Sequence, residues 1–596
     1  MTERLIKKKR IILAALAAAS LLLLFYFSKD IRCFILVKTA VLDFDGGNTG
    51  RAMDSFRKVV KMKPDSPLAL DGMGLVYVRL NDFKNAEKYY EAATYAGLKS
   101  NGTIDHSKYG GQYLDRGIYK NAQMEFSRAL LLNNTDQKAL YGMGCCSRAY
   151  GDTGAAMEFF RKSLVYSPKN KQAGKSLASV QDDINKGSVD YMFDTNREPM
   201  ASRNLPPLHG KNNYMLGRLA AHLTGYDSDK HGKSGLEASL ASYLPGNSIF
   251  LTIDSNIQRV IANAMGSYKG AIVVLRPQTG EILGLYSQPT FSPAAIDSNW
   301  NIYSSDAEEP FLNRAFEGLY EPGSIVKVIT VSAAIEKGIT ESSVFPVQCG
   351  GFTVLDGKMF WCAEKHGTIT STAETLELSC NIGSAALGLA AGGEALSEYG
   401  KRYGFGTLFD PGFFDLSRNA AVSIPVLKSV LPEDHGAKYA IAMQSCGLSP
   451  DKDDPFMITP LHAAMLSAAI ADNGVMMKPY LIKEIRNVNG KVIYRGVSAE
   501  LSRPILPATA SKLKELMIDV VENGIGLKAK VKGVLVAGKT GTSSGNGRKR
   551  SLNAWFISFA PADKPQYAIA VLCARGGKGM DVAAPIAGKI YSELLK

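Results

Sequence analysis

No two of the eight cysteines in this 596-residue chain stand in a C-x-x-C spacing. That absence removes the thioredoxin-like and paired zinc-knuckle signatures. Cys145 and Cys146 are neighbours in a helical stretch and read as core residues. Positive charge is present but not concentrated. Of the net +13, Arg4, Lys7, Lys8, Lys9 and Arg10 supply five, and the rest is scattered. A nucleic-acid stripe requires clustering, so an anionic envelope surface suits the chain better. Long apolar runs are scarce too. The one that stands out is residues 11–27, IILAALAAASLLLLFYF, which carry no charge and approach the length of a bilayer span.

The basic residues before that run, against Lys29 and Arg32 after it, place a basic segment (1–10) in the cytoplasm and a transmembrane anchor at 11–29. The remainder is then extracytoplasmic, on a single-pass protein of the cell (inner) membrane. A cleaved signal peptide is the alternative. Ala17-Ala18-Ala19 resembles a cleavage site, but residues 21–27 continue the apolar run past it, which favours the uncleaved anchor.

Residues 30–183 repeat with a period near 34. Ala52, Ala86, Ala122 and Ala156 align. Phe56, Tyr90, Phe126 and Phe160 follow four residues on, and Val59, Ala93, Ala129 and Ser163 three further. Gly74, Gly110 and Gly144 precede the last three alanines by twelve, and Pro64 and Pro168 close the first and last units. The small residues allow two helices to approach closely, and the aromatic fills the gap to the next unit. The pattern resembles tetratricopeptide repeats, an all-α solenoid whose concave face usually meets a partner.

Composition changes near Lys186. Residues 187–247 are rich in Gly, Asn, Pro and Ser and read as a short pedestal or linker. Beyond them, 248–596 read as an α/β domain with a central antiparallel sheet flanked by helices. Residues 271–287 form a hairpin with its turn at 277–280, and residues 324–337 a buried helix. VLVAGKTGT, LNAWFISFA and QYAIAVLCA are three adjacent antiparallel strands, with helices over 458–473 and 508–523. The chain is therefore multidomain.

Acyl transfer without a metal requires a nucleophile, a base, a proton path and an oxyanion site. Ser324-Ile325-Val326-Lys327 follows Pro322-Gly323, a turn that puts Ser324 at a helix start and Lys327 one turn on, on the same face. The helix N-terminus favours the serine alkoxide and the later oxyanion. S-x-x-K alone is weak evidence, since it also occurs at Ser55, Ser449 and Ser511. Order and context carry the argument. Ser324–Lys327, then Ser379-Cys380-Asn381, then Lys539-Thr540-Gly541-Thr542 stand in the sequence of acyl-serine penicilloyl enzymes.

With NRAFEGLYEPGSIVKVIT (313–330), GAIVVLRPQTGEILGLYSQPTFSP (270–293), ITPLHAAMLSAAIADNG (458–474) and AGKTGTS…NAWFISFAP (537–561), residues 187–596 resemble a class B penicillin-binding protein. GSVDYMFDTNREPMAS (187–202) resembles a worn form of that family's pedestal motif. The resemblance implies a peptidoglycan D,D-transpeptidase that β-lactams acylate, needing no cofactor for catalysis. Ser324 attacks the penultimate D-Ala carbonyl of a stem peptide and Lys327 takes its proton. Ser379 and Asn381 relay protons and hold the substrate amide. Lys539, Thr540, Gly541 and Thr542 bind the terminal carboxylate. Backbone N–H groups of Ser324 and Thr542 form an oxyanion hole, worth roughly 10²–10³ in rate per donor. Trp555 and Phe556 pack the sheet. Since nothing in 30–183 resembles a glycosyltransferase, the resemblance also implies a SEDS-type polymerase as partner. The family's frequent Gly-Gln-Gly is replaced here by Gln444-Ser445-Cys446-Gly447, and a frequent Asp by Arg276. The rival readings are a D,D-carboxypeptidase or β-lactamase-like hydrolase, and an inactive scaffold or antibiotic sensor.

Cys349, Cys362, His366 and Cys380 form a C-x₁₂-C-x₃-H-x₁₃-C pattern, with a hairpin over 349–366 turning at Asp356-Gly357. Some elongation-type relatives resemble it in placing metal ligands at similar points. A Cys₃His set suits a closed structural zinc site. A Cys349–Cys362 disulfide, natural outside the cytoplasm, and four unconnected side chains are the alternatives.

Overall fold

The computed structural model describes residues 29–97, 104–150, 153–186, 191–202, 213–244, 246–415, 418–433, 436–487, 490–544 and 551–596. The basic segment 1–10 and, apart from Lys29, the expected anchor 11–29 lie outside these residues. Among the described residues no helix is long and apolar enough to cross a membrane. The chain divides into two compact units between Lys186 and Gly187.

The first unit is all helix: 29–45, Thr49–Met62, Pro67–Arg79, Phe83–Tyr95, His106–Asp115, Tyr119–Leu132, Gln137–Ala149, Thr153–Tyr166 and Lys171–Lys186. Aspartates set several of the starts. Asp82, Asp105 and Asp136 accept hydrogen bonds from backbone N–H groups two or three residues on. The small–aromatic pattern is the packing rule. A Cβ on Gly74, Gly110 or Gly144 would lie 2.3, 2.6 or 2.4 Å from the rings of Tyr90, Phe126 and Phe160. The same wedge joins successive units, where a Cβ on Gly72 or Gly142 would lie 2.2 or 2.1 Å from Phe56 and Phe126.

One polar network lies inside this unit. His106 Nδ1 is 2.6 Å from Glu125 Oε2 and Nε2 is 2.8 Å from Asp71 Oδ2. Arg128 Nε donates to the other Asp71 oxygen at 2.8 Å, and Tyr90 Oη to the other Glu125 oxygen at 2.6 Å. All five side chains are buried. Two carboxylates thus face two cations, provided the imidazole is protonated.

In the second unit a five-stranded sheet runs in the order Ala537–Ser544, Leu552–Ala560, Tyr567–Cys573, Gly270–Leu275, Ile282–Gln288, every pair antiparallel. Strand alternation divides its side chains between two cores. Ala271, Val273 and Leu275 face the helix Pro460–Ala471, all of whose residues are buried. Ile272 and Val274 face Ser255–Met265 and Ala583–Leu594. Ala537–Ser544 is an edge strand, so one side of it remains free to form a cleft wall. A six-stranded sheet joins Tyr191–Phe193, Pro199–Ser202 and Asn213–Tyr214 to Asn247–Leu251, Ile482–Asn487 and Val492–Arg495. Segment 187–247 therefore shares a sheet with strands from far along the chain.

Candidate active site

Ser324 lies in a single 3-10 turn, Gly323–Val326, that opens the helix Lys327–Glu336. The turn is pressed against two other motifs. Gly323 has φ +58°, and a Cβ there would be 2.6 Å from the Thr542 carbonyl oxygen. Gly447, at φ +72°, accepts the Gly323 N–H at 2.9 Å through its carbonyl, and a Cβ there would lie 2.1 Å from the Gly323 oxygen. Only glycine fits at either place. In Gln444-Ser445-Cys446-Gly447, the one position where this geometry demands glycine has kept it. Glu321 holds the turn from the other side. Its carbonyl accepts Ser543 Oγ–H at 2.6 Å and Trp555 Nε1–H at 3.1 Å, and its carboxylate accepts the Ser449 N–H at 2.9 Å. Trp555 is buried in the sheet as expected, with this hydrogen bond in addition. A cavity of about 650 Å³ lined by Tyr320, Glu321, Ser449, Lys452 and Ser544 opens beside the turn.

Lys327 and Lys539 are both fully buried. Lys327 Nζ donates to the Ser379 carbonyl at 2.7 Å and to Asn381 Oδ1 at 2.8 Å, and lies 3.4 Å from Ser379 Oγ. Lys539 Nζ donates to the same Ser379 Oγ at 2.9 Å and to the Thr540 carbonyl at 3.1 Å. Ser379 thus bridges two lysines whose partners here are all neutral oxygens. Burial, and then the charge of Lys327, hold Lys539 well below the ordinary lysine range. Ser379 itself has φ +52°, a left-handed backbone rare for a non-glycine residue and concentrated at functional sites. Thr540 and Gly541 are buried in the edge strand, and Thr542 Oγ1 accepts the Gly579 N–H at 3.0 Å. The structure brings together all eight residues expected to act on substrate. Glu321 and Trp361 were not foreseen. A residue acting through its carbonyl has no motif of its own.

The four candidate metal ligands also converge. Their ligand atoms all lie within 4.8 Å of one another. His366 Nδ1 is 3.5 Å from both Cys349 Sγ and Cys362 Sγ, and Cys362 Sγ is 3.9 Å from Cys380 Sγ. Zinc–sulfur bonds of roughly 2.3 Å in a tetrahedron put ligands about 3.8 Å apart, so the set fits once its longest separations close by about 1 Å. All eight cysteines are free, so no bond joins Cys349 to Cys362 in this structure. The expected hairpin is one of two strand pairs that build the cluster. Asp356 and Gly357 do turn a hairpin, Phe352–Leu355 with Lys358–Trp361. Cys349, however, belongs to a separate strand pair, opposite Gly367, which draws His366 in. Sharing a proton with Cys380 holds the Cys362 thiol well below its usual range and raises Cys380. Cys362 Sγ also accepts the Asn381 N–H at 3.2 Å, and the Trp361 carbonyl accepts Asn381 Nδ2–H at 3.0 Å. The cluster is therefore one bond away from the lysine network.

Comparison with known proteins agrees with this geometry. Residues 270–592 match the family described as "Penicillin binding protein transpeptidase domain", and residues 69–96 match a tetratricopeptide repeat. The chain is 30% identical over 418 residues to the peptidoglycan D,D-transpeptidase PbpA of Mycobacterium tuberculosis, covering 66% of this chain and 78% of that one. It is 30% identical over 431 residues to stage V sporulation protein D of Bacillus subtilis, covering 64% and 63%. The penicillin G acyl-enzyme complex of penicillin-binding protein A from M. tuberculosis superposes with a TM-score of 0.60 at 26% identity, over 69% of this chain and all of that one. Family, fold and the order of the three motifs coincide over the same residues: the chain belongs to the penicillin-binding protein transpeptidases.

Proposed function

We infer that the chain is a peptidoglycan D,D-transpeptidase working through an acyl-serine intermediate. The observation that carries this is the Lys327–Ser379–Lys539 network beside Ser324. Ser324 Oγ attacks the carbonyl between the two terminal D-Ala residues of a stem peptide, and Lys327 Nζ takes its proton. The oxyanion forms between the backbone N–H groups of Ser324 and Thr542. Breaking the C–N bond releases D-Ala, whose nitrogen takes a proton through Ser379 Oγ. An amine of a second stem then attacks the ester, a new amide forms, and Ser324 regains its proton. The terminal carboxylate lies by Lys539, Thr540 and Thr542. Its charge favours the ammonium form of Lys539, offsetting the depression that burial and Lys327 impose. A proton can then pass between the lysines through the shared Ser379 hydroxyl.

β-Lactams acylate Ser324 by the same route. Ser324→Ala therefore abolishes covalent labelling by a fluorescent penicillin while leaving the circular dichroism spectrum unchanged. Labelling that survives in this variant would overturn the assignment.

In the same reading residues 11–29 anchor the chain in the cell membrane with the catalytic unit outside, on the evidence of the sequence. The repeats dock protein partners, and a SEDS-type polymerase is the partner the family resemblance suggests. Cys349, Cys362, His366 and Cys380 hold a structural zinc. Four protein ligands close its coordination sphere, so it supplies order and no chemistry.

A further inference from the structure

The repeats leave one stacking face uncovered. In the helix Pro67–Arg79, Ala69, Gly72 and Val76 are buried against the preceding unit, Gly72 directly beneath Phe56. In Gln137–Ala149 the equivalent residues Ala139, Gly142 and Cys146 are buried the same way, with Gly142 beneath Phe126. In Lys171–Lys186, Ala173 and Val180 occupy these places and are buried. One 34-residue period before Ala69, Gly72 and Val76 stand Ile35, Lys38 and Leu42, in the helix 29–45. Here Ile35 is 57% and Leu42 71% exposed. Ile31 and Phe34 extend the stripe, also half exposed. The opposite stripe of the same helix, Cys33, Val37, Ala40 and Phe44, is buried. This helix is apolar on both faces, the composition of a helix covered on both sides. End units of a solenoid normally turn a polar face to water, and this one does not.

A further repeat cannot be the cover. Stacking places the preceding aromatic over a glycine, at Gly72 and Gly142, and the equivalent residue here is Lys38. Its ammonium lies 5.2 Å from the centre of the Phe34 ring, an apolar stem along the stripe with a charged tip. That is the behaviour of a lysine at a lipid headgroup boundary. Lys29 and Arg32 are exposed on the same helix. The uncharged run of residues 11–27 ends two positions before the first described residue of this helix. From residue 29 to Leu42 the helix spans about 20 Å. A lipid surface meets Ile31 and Leu42 together only if the helix lies along it.

We propose that the helix 29–45 lies in the plane of an anionic bilayer surface, with Ile31, Phe34, Ile35 and Leu42 in the headgroup–acyl boundary and Lys29, Arg32 and Lys38 at the phosphates. The solenoid is then seated against the membrane by its first stacking face rather than tethered above it. This rests on the anchor reading, which resistance of the full chain to carbonate extraction from membranes checks separately.

The decisive experiment uses the full chain in nanodiscs containing phosphatidylglycerol. A photoreactive benzophenone side chain replaces Phe34, Leu42 or, as control, the exposed Glu91 of another helix. Lipid adducts are expected at 34 and 42 and not at 91. Lys38→Glu lowers the yield at 42 in anionic discs and leaves it unchanged in phosphatidylcholine discs. Adducts at 34 without adducts at 42 would mean that only the helix start meets lipid, and would overturn the in-plane arrangement. Adducts to a second copy of the chain at 42 would make the face a self-association surface and overturn it equally.

Discussion

Raising the pH from 6.5 to 9 should loosen the repeat unit while leaving the catalytic unit folded. Both ring nitrogens of His106 face carboxylate oxygens, so both must donate, and only the imidazolium does. Burial alone would push this histidine down, but the charges of Asp71 and then Glu125 outweigh it and raise its pKa to about 9. The folded value lies above the unfolded 6.5. Its contribution is therefore fully present below pH 6.5, shrinks as pH climbs, and is lost as pH passes through 9. At about 1.4 kcal/mol per pH unit the gap amounts to about 3 kcal/mol, a large part of a small unit's stability. Urea unfolding followed by far-UV circular dichroism at pH 6, 7.5 and 9 should show the repeat transition moving to lower urea. His106→Gln removes the charge that balances the two buried carboxylates. It should cost roughly 3–5 kcal/mol at pH 6 and flatten the pH dependence. A repeat transition that stays put from pH 6 to 9, or one that keeps its slope in His106→Gln, would refute the assignment of a protonated His106.

Three further outcomes test the site. Asn381→Ala deprives Lys327 Nζ of a 2.8 Å partner that positions it, and the second-order rate of acylation by penicillin should fall about 10- to 100-fold; an unchanged rate would separate Asn381 from the proton path. Gly447→Ala forces a Cβ to within 2.1 Å of the Gly323 oxygen, so acylation should drop sharply with the repeat transition unaffected; wild-type acylation would show that the Ser324 turn is not held from this side. Metal analysis of the purified chain should give one zinc per molecule, falling in Cys349→Ser, with a lowered melting temperature after chelation; a metal-free chain of full stability would exclude the zinc site.

What the sequence made legible follows from what periodicity reports. Alternation and the small–aromatic spacing say which face of an element is buried, so the central hairpin, the three C-terminal strands and the repeats could be read directly. They do not name the partner across the sheet. The pairing of Ile482–Asn487 with Asn247–Leu251 spans more than two hundred residues and carries no local mark. The same holds for Cys349 opposite Gly367, where a single hairpin was expected. His106, Asp71 and Glu125 were invisible as a group because they come from three helices and fit no motif. In the site, the motif side chains were legible, while Trp361, acting through its backbone carbonyl, and Glu321, acting through both its carbonyl and its carboxylate, were not.

The three motifs are held by different means, and this gives the cysteine cluster its place. Lys539–Thr542 belongs to a strand with a full antiparallel ladder. The turn that carries Ser324 is locked at Gly323, between Thr542 and Gly447, by contacts that leave no room for a Cβ. Ser379 and Asn381 have neither device. Ser379 holds a left-handed backbone, which costs a non-glycine residue about 1 kcal/mol, and Asn381 is the first residue of a helix outside both large sheets. What holds them is lateral. Asn381 is tied through its N–H to Cys362 Sγ and through its amide to the Trp361 carbonyl, and Cys380 caps the helix by accepting the Gly383 N–H. Each of these bonds ends on a cluster residue or its neighbour. A metal drawing the four ligands from within 4.8 Å to tetrahedral spacing would tighten the one wall of the site that the sheet does not hold.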